Sequence, residues 1–462
     1  MKFQRALPSR VVFVSTVSAL ALIAVACGPG SESATPTAFP EPTLNSVTPP
    51  ENFQTPIPSP EVATDPLPET VFAETPISNS FEKPTETVDI TFDGLEAIVA
   101  RRFQSQYGWF TDFNQRIVDL SEISSLLPRD GIIPIDAPTF AKVSEVPDYL
   151  RAREPVVALE IDGDARAYPL AMLMWHEIAN DVVGGVPVSV TFCPLCNTAI
   201  TFDRTVNGQE LTFGTSGNLR RSDLVMWDRQ TESWWQQITG EAIVGVNAGA
   251  GTKLKIINSP IIAWETFAEE YPDGLVMERI FDELGFPIRS YDNPPYAGYD
   301  NVDNTPFAFS GEVDDRLVAT SRILAVKSEG RTVAYPFSFL AETQIVNDRV
   351  GDSDVVVFFD DGTLSAFVDG RQGDQISGST TMFNRIVDGQ TLTFTLGADG
   401  IIDIETQSTW SLLGTAESGP LVGKKLEPVI HANHFWFAWA VFEPDTEIRD
   451  GADDISGPTG RP

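Results

Sequence analysis

The sequence predicts a β-rich α+β fold in which one strand-rich unit is duplicated, packed as two tandem, pseudo-symmetric repeats. Two observations carry this. Short alternations such as Val188, Val190 and Phe192 are separated by turn pairs such as Asp162-Gly163, the pattern of half-buried strands joined by hairpins. Ala167-Tyr168-Pro169-Leu170 also returns 167 positions later as Ala334-Tyr335-Pro336-Phe337, and ordered recurrence marks a repeat architecture.

The elements follow in chain order. Lys2, Arg5 and Arg10 precede an apolar run from Val11 to Ala26, short of the ~20 residues that span a bilayer and suited to a secretory signal. It ends in Ala24-Val25-Ala26-Cys27, which resembles a bacterial lipobox with Cys27 as the lipidated residue. An uncleaved anchor or a plain secretory signal is the alternative. Residues 1–27 are therefore read as a lipoprotein signal peptide. Residues 28–90, rich in Pro, Thr, Ser and Glu, cannot bury enough surface to offset chain entropy and are read as a disordered tether.

The first repeat is placed at 91–295 and the second at 296–446, with 447–462 as a loose tail. Within the repeats the echo continues past the first strands. Gly208-Gln209-Glu210-Leu211-Thr212-Phe213 matches Gly389-Gln390-Thr391-Leu392-Thr393-Phe394. Asp228, Thr231, Ser233 and Trp235 match Asp403, Thr406, Ser408 and Trp410. Residues kept in both copies read as turn and core determinants; function belongs where the copies differ.

The differences are concentrated. The first copy holds Cys193-Pro194-Leu195-Cys196 where the second has Asp360-Asp361-Gly362-Thr363, and His176 where the second has Thr343. The second copy ends in His431-Ala432-Asn433-His434. Apart from Cys27, these are all the cysteines and histidines in the chain. Thiolate and imidazole together suit zinc or copper, and C-x-x-C lets two sulfurs reach one ion. His431 and His434, three apart, would share one face of a helical turn. The expected site is thus a copper or zinc ion held by His176, Cys193, Cys196, His431 and His434 at the junction of the copies, with redox chemistry if the ion is redox-active.

Two rival functions stay open. Cys193 and Cys196 suit a thiol–disulfide oxidoreductase, which needs an accessible thiol of low pKa. Trp234, Trp235 and Trp410 suit stacking platforms for a carbohydrate or cell-envelope component. The net charge of -34 argues against nucleic acid, since no basic patch neutralises phosphates. It also repels anionic lipid, so membrane attachment falls to the lipid anchor on the extracytoplasmic face.

Trp109-Phe110-Thr111-Asp112-Phe113, Asp130-Gly131-Ile132-Ile133-Pro134, Trp175-His176-Glu177, Phe192-Cys193-Pro194-Leu195-Cys196-Asn197, Ser222-Asp223-Leu224-Val225-Met226 and Trp436-Phe437-Ala438-Trp439 together resemble the bacterial domain of unknown function 3179 family. The resemblance runs over roughly residues 105 to 445 and implies that the segment from 96 to 150 belongs to the same folded body. The extra residue in Ile132-Ile133-Pro134 departs from the family's Gly-Ile-Pro pattern. The family carries no assigned activity.

Overall fold

The computed structural model describes residues 83–145, 150–368, 374–398 and 400–451. The lipobox at Cys27, the tether up to residue 82 and the tail from 452 lie outside the described residues. The described part is strand-rich, with eight sheets and only short helices after Leu95–Tyr107.

Residues 123–277 build three sheets and a two-stranded hairpin. The first sheet runs Ile261–Ala263, Pro155–Ile161, Asp164–Pro169, Leu275–Met277, Phe140–Lys142. The second runs Lys255–Ile257, Thr198–Asp203, Val186–Cys193, Ile178–Val183. The third runs Ile123–Ser125, Phe213–Arg220, Asp223–Asp228, Trp234–Gln236, Ala242–Val244.

Residues 322–448 also build three sheets and a hairpin. Their orders are His431–Phe435, Arg322–Ser328, Arg331–Pro336, Glu447–Ile448; then Ile345–Val350, Ser353–Asp360, Ser379–Asn384, Glu427–Pro428; then Phe394–Gly397, Gly400–Asp403, Thr409–Trp410, Ala416–Ser418. The connector between the two sets, 278–321, holds no ladder strand.

Local chemistry explains the hairpins. Asp162 and Gly163 sit at φ 50° and 86°, and Glu329 and Gly330 at 50° and 80°, the two left-handed positions that a primed two-residue turn requires. Each hairpin then feeds a seven-residue helix, Leu170–His176 or Phe337–Thr343. The helices stop at Glu177 and Gln344, both left-handed, at φ 59° and 56°.

The largest core joins residues from both sets of sheets: Phe192, Phe202, Phe213 and Trp235 pack in one cluster with Phe367, Phe435 and Phe437. The expected tail needs correction at its start, because Glu447–Ile448 pairs in parallel with Val333–Ala334 and completes a sheet. The tether also ends earlier than 90. Val88 O accepts from Gln104 Nε2 at 2.7 Å and Asp89 O from Asn114 Nδ2 at 3.0 Å.

The aromatic platforms are also corrected. Trp234 and Trp235 are fully buried and Trp410 is 3% exposed, so none can stack on a ligand. Trp235 and Trp410 instead donate from Nε1 to Asp228 and Asp403 at 2.9 and 3.0 Å. Those carboxylates also accept from Thr231 and Thr406 through backbone and hydroxyl. Each box ties a tight turn to the indole that fills the core beneath it. A buried donor left unpaired costs more than a net hydrogen bond contributes. Asp228→Ala is therefore expected to lower stability by about 3 kcal/mol, read by urea unfolding, and Asp403→Ala to act in the same direction. A loss under about 1 kcal/mol, the size of an ordinary surface change, would show that the box does not hold the turn.

Candidate metal centre

The Cys-x-x-Cys segment is a strand end, a tight turn and a strand start. Val186–Cys193 ends at Cys193, Pro194 opens a 3-10 turn over Pro194–Cys196, and Asn197 at φ 51° stops it. Proline has no amide hydrogen to lose there and its fixed φ suits the first turn position. Cys193 then pairs with Thr198 across the ladder. The outcome is that the two sulfurs lie 3.1 Å apart as free, buried thiols.

A second tight turn faces them. Arg221 and Ser222 are both left-handed, at φ 55° and 72°. The carbonyl of Ser222 lies 3.5 Å from Cys196 Sγ and 3.9 Å from Cys193 Sγ. The next residue is Asp223, fully buried. Its Oδ2 accepts from Gln236 Nε2 at 2.6 Å and from the Ile238 amide at 3.0 Å. Its Oδ1 has no hydrogen-bond partner. A carboxylate oxygen of Asp223 and the two sulfurs all lie within 4.8 Å of one another. One oxygen is thus anchored by donors while the carboxylate faces the thiols, as outer-shell partners orient a metal ligand.

Glu177 adds a second buried carboxyl. Its carbonyl accepts from the Phe192 amide at 2.8 Å, which sets it beside the strand that ends in Cys193. Gln344 holds the matching bond from Phe359, also 2.8 Å. Burial, then the Asp223 charge, pushes Glu177 up to about 8. Burial pushes Asp223 up to about 6 against its hydrogen bonds to Gln236 and Ile238 and the weak donors at the Cys196 and Cys193 thiols. Burial also raises both thiols, Cys196 strongly. No lysine or arginine is among the leading causes of these shifts. The pocket therefore gathers acids without a counterion, and a bound cation would invert every one of these preferences at once.

The histidines expected in the shell stand elsewhere. His176 is buried with both ring nitrogens engaged, Nδ1 with Ile133 O at 2.7 Å and Nε2 with Tyr291 Oη at 2.9 Å. His431 and His434 lie on the strand His431–Phe435 instead of a helix, so a three-residue spacing sends them to opposite faces. His431 Nδ1 bonds Val429 O at 2.7 Å. His434 Nδ1 bonds Thr198 Oγ1 at 2.8 Å, and Thr198 donates onward to Cys196 O at 3.2 Å. His434 is thus one hydroxyl removed from the cysteine turn. The group that the structure brings together is Cys193, Cys196 and Asp223, with no histidine in it.

Asp223 and Glu177 were missed as ligand-type residues. Asp223 stood among many acids after the cysteines, and Asp228 and Glu232 are buried as deeply; what sets it apart is its place against the two sulfurs. Glu177 carried a signal in the sequence, since Gln344 stands 167 positions later, at the matching place in the recurring text. The thiol environment also runs opposite to the oxidoreductase expectation, which needs an exposed, acidified sulfur.

The class defined by this fold and site is a strand-rich protein with one buried Cys–Cys–Asp group able to hold a metal ion. The family described as Protein of unknown function (DUF3179) matches residues 129–446, and the chain belongs to it. No curated protein and no solved structure matches the chain.

A carboxyl that binds its proton more tightly when folded stabilises the fold below its unfolded pKa, and loses that contribution as pH rises through the folded value. For Glu177 the window runs from 4.5 to about 8. His434, held down to about 3 by burial and the nearby His431, acts oppositely: its contribution is complete above 6.5 and fades as pH falls toward about 3. Glu177→Gln in metal-free protein is therefore expected to raise the Tm at pH 8 while changing it little at pH 4.5. An equal shift at the two pH values would show that the carboxyl is not held protonated by burial.

Proposed function

We propose that this protein is a lipid-anchored, extracytoplasmic metal-binding protein that holds one zinc ion through Cys193, Cys196 and Asp223. The observation that carries the reading is the buried Oδ1 of Asp223, which lacks any hydrogen-bond partner on a carboxylate that faces two thiols. An orphaned buried acceptor costs stability unless something fills its place. A divalent cation would do so and would neutralise the thiolates it creates.

Zinc is favoured over copper by the donor set. Copper(I) selects thiolate, thioether and imidazole, whereas two thiolates with a carboxylate oxygen match zinc. Glu177, buried beside the site without an ion-pair partner, is the nearest further carboxyl to close the shell or to bind a water in it.

Anchorage rests on the positive n-region, the short apolar run and Cys27. The net charge of -34 supports a covalent anchor over electrostatic adhesion. The reading also takes the two sets of sheets as one duplicated unit. It is supported by the recurring text and by the matching sheet orders. On that reading the first copy kept or gained the metal site.

Elemental analysis of protein purified without a metal-affinity tag is expected to give about one equivalent of zinc, as one tetrahedral site requires. Asp223→Ala and Cys193→Ala lose it, while His176→Ala and His431→Ala retain it. Metal-free protein with Cys193 and Cys196 oxidised to each other would sink the proposal and return the pair to thiol–disulfide chemistry.

A further inference from the structure

Away from the cysteine turn, the two sets of sheets enclose a cavity of about 790 Å³, within the range of sites for small organic ligands. One wall is the edge strand Lys255–Ile257 and its neighbour Thr198–Asp203; the other is His431–Phe435 with the helix Trp436–Ala440. Its apolar lining includes Ile200, Ile256, Ile257 and Trp439.

Two features distinguish it from a packing gap. The first is charge. The chain has 31 basic residues against 65 acidic ones, yet Arg220, Lys253, Lys255 and Lys327 line this cavity against only Glu241 and Glu443. Lys253 is paired with Glu241 at 3.5 Å, Lys327 with Glu443 at 2.5 Å, and Arg220 with Glu122 at 2.8 Å. Lys255 is left as a cation without an ion-pair partner among the described residues. A lone cation at the mouth of an apolar cleft on an acidic protein is a focus for an anion.

The second is His434. It is 1% exposed, lines the cavity and stacks on Trp439 with ring centroids 4.8 Å apart. With the Thr198 hydroxyl directed to Cys196 O, the tautomer that completes the chain has His434 donating Nδ1–H to Thr198. Its Nε2 is then a lone-pair acceptor, and no described residue donates to it. Lys255 and Ile257, two apart on a strand, share one face, so a ligand can meet charge and apolar surface along one line.

We propose that this cavity binds a small amphipathic organic acid, its apolar or aromatic body between Ile257 and the His434–Trp439 stack and its acid group at Lys255. The site is independent of the metal reading, since none of its named contacts is a metal ligand.

The test is a fluorescence titration of the full chain carrying Cys27→Ala, so that no acyl chain competes. The probes are anilinonaphthalene sulfonate, an aromatic anion, and phenylnaphthylamine, its uncharged analogue. The expected result is saturable one-to-one binding of the sulfonate, weakened on the order of tenfold by Lys255→Glu, with the uncharged probe unaffected by that change. Ile257→Trp, which fills the cavity, abolishes binding of both, and circular dichroism identical to the parent shows that the variants fold. Cys193→Ala leaves both affinities unchanged, which separates this site from the metal centre. Sulfonate binding indifferent to Lys255→Glu, or binding that survives Ile257→Trp, would overturn the proposal.

Discussion

The constraint on which the described body depends is the return of the chain's end to its middle. Strand His431–Phe435 pairs with Arg322–Val326, and the same segment delivers Phe435, Phe437 and Ala438 to a core built mainly from residues 157 to 248. Burying three such side chains is worth several kcal/mol by area, so the largest core, built mainly from the first set of sheets, is incomplete without the second. The pairing spans more than 100 residues of sequence, and contacts of that separation form late and cost loop entropy before they stabilise. Function that sits between the halves is accordingly present only in the finished fold.

That dependence explains why the acids near Cys193 can be buried at all. Glu177 and Asp223 are carried by different sheets, one beside Val186–Cys193 and the other at the head of Asp223–Asp228. Each is held by the backbone geometry of its own element. Folding therefore forces two carboxyls and two thiols into one apolar volume, and each resists ionisation by its environment. The physical options are protons or a cation. Protons satisfy charge and leave the Cys193 and Cys196 thiols as weak donors toward the Asp223 carboxyl, whereas a cation replaces those protons and binds all three groups at once.

Much of the architecture was legible in short-range chemistry. Turn pairs such as Asp162-Gly163 demand left-handed backbone, and period-two alternation marks the strands they join. Cys193 and Cys196 were legible as a unit because a three-residue turn between paired strands needs no distant partner. His431 and His434 were not, since a three-residue spacing fits a helix or a strand until the pairing partner is known, and here Arg322–Ser328 decides. Trp235 and Trp410 failed as platforms for a related reason: an indole with a buried carboxylate to bond loses little on burial, and Asp228 and Asp403 supply that partner. Trp234 is instead held by edge-on packing against Phe103, Trp109 and Phe113. Asp223 and Glu177 differ from dozens of other acids in depth and in place, which composition does not record.

The asymmetry between the halves follows one rule. Where Asp360 to Thr363 stands in place of the cysteine turn, Asp360 accepts from the Gly362 amide and the Thr363 hydroxyl, and Thr363 bonds Ser379. That turn is closed largely by its own bonds, with one from the other set of sheets, Arg153 Nε to Gly362 O at 2.6 Å. The cysteine turn instead looks outward: its sulfurs face Ser222 and Asp223, while its carbonyl at Cys196 reaches Thr198 and, through it, His434 in the other set of sheets. A turn that closes on its own hydrogen bonds stabilises a fold and asks for nothing more. The cysteine turn closes its backbone through Asn197 N to Pro194 O and Thr198 Oγ1 to Cys196 O, but its sulfurs face Asp223 on one side and Thr198 meets His434, in the cavity wall, on the other. The same six residues, Cys193 to Thr198, thus form the physical boundary between the two places where this protein has chemistry to spare.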